Sequence, residues 1–151
     1  MGPLLAVLGG LLVAASTVLP WVQITFALPN GQGTSETLGV QLTNGVLVLI
    51  VGLLTAATGA GVAMARIPRA TAAWGIAVGA ALAIALTGGW WFRGYGTAVT
   101  AVGILVCLAA VALTHPGPTW RRVSLVLGAA VAGVVVAVVL GLLVPYQSPK
   151  F

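Results

Sequence analysis

Few residues in this chain can do chemistry, and they are scattered. There is one acidic side chain, Glu36, one histidine, His115, and one cysteine, Cys107. General acid–base work needs a positioned histidine or a carboxylate of tuned pKa. The candidates are His115, Glu36 and the tail carboxylate. His115 and Glu36 are expected on opposite sides of a membrane, so no Ser/His/Asp or Cys/His set can assemble on one face. No catalytic residue is assigned. A lone cysteine makes neither an internal disulfide nor a metal site, so Cys107 reads as a small packing residue. Haem needs axial His, Cys, Met or Tyr ligands. His115 beside Pro116, with Met64 and Cys107, makes no convincing pair. No cofactor and no metal are expected.

The six basic residues are Arg66, Arg69, Arg93, Arg121, Arg122 and Lys150. They punctuate apolar runs and never form the dense patch of a nucleic-acid binder. Their distribution instead sets topology. Intramembrane ionisable residues are the marks of proton relays and ion pathways. None falls in the middle of an apolar run, which disfavours pumping or ion coupling by this chain alone.

The elements that carry these residues follow from composition. The chain has 151 residues, 60% hydrophobic and only 5% charged, with mean hydropathy +1.18. A soluble domain carries about 25% charged residues. The expected fold is an all-α integral membrane protein of one domain, 1–151. It is a bundle of five transmembrane helices over about 3–19, 43–65, 70–88, 97–114 and 123–144. The first run is short for about 30 Å of hydrocarbon. A signal peptide is the competing reading of it, since Ala14-Ala15-Ser16 resembles a cleavage region, but the basic n-region is missing. Thr43 or Asn44 is a candidate cap for the second run.

Between the first two runs lies the longest polar stretch, 20–42. Val22, Ile24, Phe26 and Leu28 alternate with Gln23, Thr25 and Ala27, the period-two signature of a half-buried strand. Pro29-Asn30-Gly31 supplies turn chemistry. Leu38, Val40 and Leu42 follow on one side. The expected structure is a β-hairpin lying over the outer mouth of the bundle. Trp21, Ile24, Phe26, Glu36 and Leu38 are its candidate partner-binding residues. Trp21 doubles as a marker of the outer interface.

A second loop carries Trp90, Trp91, Phe92, Arg93 and Tyr95. It matches the aromatic belt of a membrane interface and is the candidate lipid or quinone platform, with Arg93 over a ring. Small residues at Gly52 and Ala56, Gly75 and Gly79, and Gly128 give faces where helices approach closely, within the chain or with other subunits. Thr55, Thr58, Thr87 and Thr100 are candidate pore-lining hydroxyls. The competing reading has each bonding the preceding helical turn.

The turns at 66–69 and 115–122 each carry two arginines, against one basic residue in the aromatic loop, one in the tail and none in the first loop. By the positive-inside rule the N-terminus is cytoplasmic, and the first loop and the C-terminus are extracytoplasmic. The location is the cell membrane, with multiple passes.

Ser16, Leu19, Pro20, Trp21, Asn44 and Gly45 carry a resemblance. A first span ending in Leu-Pro-Trp, then a polar loop returning at Asn-Gly into an Ala/Gly/Val-rich span, resembles a broad group of small actinobacterial polytopic membrane proteins. The likeness covers the first third of the chain and implies an accessory subunit of a larger respiratory or cell-envelope complex. The outer hairpin is also loosely similar in architecture to claudin-type proteins, although their loop cysteine pair and Gly-Leu-Trp motif are missing. The functional expectation is a non-enzymatic accessory or assembly subunit whose partners are other membrane subunits and lipids, or a second copy of the chain. The alternatives are a small channel or transporter, and a lipid- or quinone-binding protein.

Overall fold

The computed structural model describes residues 1–29, 31–87 and 94–143. Among the described residues are five helices and a two-stranded antiparallel sheet: α1 (Gly2–Ala15), β1 (Pro20–Leu28), β2 (Gly31–Leu38), α2 (Thr43–Ala63), α3 (Arg69–Thr87), α4 (Tyr95–Thr114) and α5 (Thr119–Leu143). Four of them, α2 to α5, are long and apolar enough to cross a membrane. The first is shorter. Its 14 residues rise about 21 Å, and a 3-10 turn over Ser16–Val18 adds the last few ångströms. Ser16 and Thr17 hydroxyls donate back to Val13 O and Ala14 O at 2.6 and 2.7 Å. Pro20 then cannot continue the helix.

The short helix is nevertheless the hub, packed between α2 and α4. Backbones touch there because glycines face each other. A Cβ on Gly52 would stand 2.6 Å from Ala14 N and 2.8 Å from Gly10 O. On the other side, a Cβ on Gly9 would meet Cys107 N and Gly103 O at 2.9 Å. Such contact between small residues is how helices associate where hydrocarbon surrounds them. Gly52 and Ala56 therefore serve inside the chain, against α1. The two buried clusters continue this packing. One gathers Ala6, Ile76, Ala80, Cys107 and Val111; the other gathers Val13, Trp21, Val48, Ile84 and Ile104. The last helix, α5, packs against α3 and α4 and is the least covered of the long helices.

The helix ends have local causes. No side chain caps α2, whose N-cap is Leu42 rather than Thr43 or Asn44. At its other end Ala65 adopts φ +54°, and Arg66 N and Ile67 N both return to Gly61 O. This left-handed cap resembles the usual glycine-terminated one but with alanine in the left-handed position. Pro68 and Pro118 open α3 and α5, each carbonyl accepting from the first turn. The fifth helix starts before 123 because Pro118 nucleates it, so Trp120, Arg121 and Arg122 are helical.

Polarity is segregated along the bundle. Helix α2 puts the β1–β2 hairpin at one end and the turn carrying Arg66 at the other, about 31 Å apart by helical rise. Gly2 lies against Thr114, and Gly59 against Pro3, so the turns at 64–69 and 115–118 share the end opposite the hairpin. Arg66, Arg69, Arg121 and Arg122 are all there, whereas Glu36 is on the hairpin.

Candidate functional site

The hairpin forms where alternation placed it, and its register explains which face is which. Gln23 pairs with Glu36, Thr25 with Thr34 and Ala27 with Gln32. Gln23 Nε2 donates to Glu36 Oε1 at 2.8 Å, a cross-strand link on the polar face. On the other face Val22, Ile24 and Phe26 oppose Thr37, Ser35 and Gly33. Phe26 lays its ring on Gly33: a Cβ there would stand 2.7 Å from ring Cζ, the way an aromatic covers a strand glycine. At the tip Gly31 has φ +150°, open to glycine and costly for other residues.

The hairpin does not lie over the bundle. From Gln23 to Ala27, and across most of β2, both faces are exposed. Ile24 is 36% and Phe26 43% exposed. The apolar stripe faces outward because the ribbon's base, not its face, is anchored. Strand β2 also stops earlier than the Leu38–Val40–Leu42 pattern suggests. Gly39–Gln41 folds into a 3-10 turn, closed by Leu38 N donating to Gln41 Oε1 at 2.9 Å. Leu38 is half-buried at the base, paired with Pro20.

The anchor is Trp21, and here the expectation of a surface residue is overturned. A bulge between Pro20 and Val22 inserts Trp21 as an extra residue in β1. Bulges bend a strand and re-aim a side chain; this one turns the indole into the bundle, where it is 0% exposed. No partner can touch it. Its Nε1–H donates to Ser16 O at 3.0 Å. Glycines form the walls of its slot. A Cβ on Gly39 would stand 2.7 Å from the indole nitrogen and 2.8 Å from Thr17 O, and one on Gly96 would overlap the indole edge. Gly45 in turn sits directly against the Gly39 carbonyl. Ser16 Oγ and Thr100 Oγ1 share a hydrogen bond at 2.6 Å, both fully buried, which ties α1 to α4. Ser16, Trp21 and Gly45 thus all belong to one buried collar that clamps the hairpin base.

The remaining candidates divide. Gly79 lies against the Thr55 hydroxyl, and Gly75 makes ordinary contact with Thr58 at 3.4 Å, so the α3 glycines face α2. Gly128 packs against nothing: a Cβ there would have open space to 4 Å. Lacking a side chain, it makes no close helix contact among the described residues. Tyr95 is exposed at the start of α4. Trp90, Trp91, Phe92 and Arg93 lie outside the described residues. Thr55, Thr58 and Thr87 each donate to a carbonyl one turn back, at 2.7 to 2.8 Å; Thr100 Oγ1 lies 2.9 Å from Gly96 O, and its one proton serves the bond to Ser16 Oγ.

His115 follows the end of α4, whereas Gly94 and Gly96 at its start flank Trp21. About 30 Å of helix thus separates His115 from the hairpin and Glu36. Among the described residues no three His, Cys, Asp or Glu side chains cluster to hold a metal. No family model, no curated protein and no solved structure matches this chain. The residues that sequence reading missed are Gly9, Gly10, Gly39, Gly96 and Gly103. Their partners lie on other elements, and no local spacing marks them.

Proposed function

We propose that this chain is a non-enzymatic accessory subunit of a larger assembly in the cell membrane, with all five helices embedded. The N-terminus and the arginine-bearing turns are then cytoplasmic, and the hairpin and C-terminus extracytoplasmic. It acts by holding an amphipathic hairpin rigidly for a partner subunit's extracytoplasmic domain.

The observation that carries this reading is the pairing of a buried collar with an outward apolar stripe. A two-stranded ribbon alone is marginally stable. Here Trp21, three close-packed glycines and the Ser16–Thr100 bond fix its base, while Ile24 and Phe26 stay partly exposed. A rigid, partly apolar ribbon with free backbone edges suits strand addition by a partner. The segregation of four arginines from Glu36 supports the orientation. The exposed valines of α5, among them Val131, Val134, Val135 and Val138, accept lipid as readily as another helix and add nothing to the choice.

The test is the paired change Ile24→Ser and Phe26→Ser, compared with wild type at native expression after mild detergent extraction. Co-purification of a defined membrane partner with wild type, and its loss from the variant with the bundle still folded, supports the reading. A partner-free, monodisperse chain in both samples refutes it.

A further inference from the structure

At the end opposite the hairpin, residues of α3 and α5 line a groove of about 580 Å³. That is within the range of small-molecule sites, about 300–1,000 Å³. The two helices run parallel and touch deeper in the bundle, where a Cβ on Gly133 would stand 2.8 Å from Ala81 O. Nearer their starts the walls are small side chains: Ala77 and Ala81 on α3, Gly128 and Ala132 on α5. A Cβ on Gly128 would meet no described residue within 4 Å, so the described residues leave this length of groove unfilled.

The mouth differs in character. Trp74, His115, Trp120 and Arg121 frame it. Trp74 and Trp120 are 60% and 62% exposed, placed as interfacial tryptophans are. The Arg121 guanidinium lies 5.1 Å over the centre of the Trp120 ring, which holds the cation at the rim. His115 Nδ1 is shut from solvent and has no hydrogen-bond partner among the described residues. The chain's only acidic side chain, Glu36, is bonded to Gln23 at the far end. One end of the groove is therefore cationic and aromatic, and the rest is an apolar trough leading toward the bundle's middle.

We propose that this groove binds one anionic phospholipid, its phosphate at Arg121 and an acyl chain along Ala77, Ala81, Gly128 and Ala132. Charge complementarity selects the occupant: basic pockets between helices on the cytoplasmic side suit anionic headgroups, and beyond the mouth the lining is apolar apart from Ser124, whose hydroxyl already donates to Trp120 O at 2.8 Å. The inference rests on the membrane-embedded reading but not on hairpin docking. It concerns a site distinct from the aromatic loop at 90–95.

The experiment uses the full chain purified in detergent, followed by native mass spectrometry and thermal unfolding with added phosphatidylglycerol, phosphatidylcholine or inorganic phosphate. Wild type should retain one phosphatidylglycerol and be stabilised by it, and by neither of the others. Arg121→Gln should weaken retention about fivefold, the effect of one basic residue near an anionic surface, and Arg121→Lys should restore most of it. Gly128→Leu should expel the lipid without lowering the lipid-free unfolding temperature, because the added side chain enters open space. Arg66→Gln, outside the groove, should change nothing. Equal retention of phosphatidylcholine, stabilisation by phosphate alone, or undiminished lipid in Gly128→Leu overturns the proposal. A wild-type dimer that Gly128→Leu dissolves also overturns it, assigning the groove to a second copy. A chain that stays soluble without detergent would instead refute the membrane reading beneath it.

Discussion

Replacing Trp21 tests the collar most sharply. The indole is fully buried and its N–H donates to Ser16 O at 3.0 Å. Ser16 O also accepts from Leu19 N at 3.2 Å, so losing the indole donor leaves it partly satisfied. Trp21→Phe should thus cost about 0.5–1.5 kcal/mol for the hydrogen bond, plus a similar amount for unfilled volume. Trp21→Ala removes the whole plug and should cost about 3–5 kcal/mol. Gly96→Ala pushes a methyl into the indole edge and should cost about 1–3 kcal/mol as overpacking. Because the two side chains occupy the same space, the double variant Trp21→Ala/Gly96→Ala should show non-additivity of at least about 0.5 kcal/mol. The assay is reversible unfolding in mixed micelles, with hydrogen exchange of the hairpin amides read alongside. The amides of β1 and β2 should lose protection in Trp21→Ala before those of α2. A Trp21→Phe variant within about 0.3 kcal/mol of wild type, or additive effects in the cycle, would refute the clamp.

Other expectations follow from single contacts. Thr100→Val breaks the buried bond to Ser16 and should cost about 0.6 kcal/mol, the average for interhelical hydrogen bonds in membranes, in the same assay. Ala65→Gly relieves an alanine held at φ +54° and should stabilise the chain by about 1 kcal/mol. Gly52→Leu should prevent folding, since its Cβ would already meet the backbone of α1, while Gly128→Leu should fold normally; size-exclusion profiles separate the two.

How much was legible in the sequence depended on how local each signal was. Alternation from Val22 to Leu28 and the Pro-Asn-Gly turn announced the hairpin, because strand period and turn chemistry are written in neighbouring residues. The helices were legible from their long apolar runs; their ends shifted most where Pro118 started one early and Ser16 finished one short, and by one or two residues elsewhere, as at Ala63 and Tyr95. Trp21 was misread. A tryptophan beside a span end fits an interfacial belt and a buried plug equally well. What separates them is a bulge and glycines at 39 and 96, brought together only by the fold. The hairpin's direction was also illegible, since alternation says that one face is apolar but not what covers it. Gly128 looked like Gly52 on sequence, yet one lines a gap and the other a backbone contact.

The central claim is that a partner meets the apolar face of the hairpin. Site-specific photo-crosslinking in intact cells measures it directly, with the photoreactive side chain at Phe26 on that face and at Thr34 on the opposite one. A discrete protein adduct should form from position 26 and little or none from position 34. Lipid adducts alone from position 26, or equal protein adducts from both positions, would contradict it.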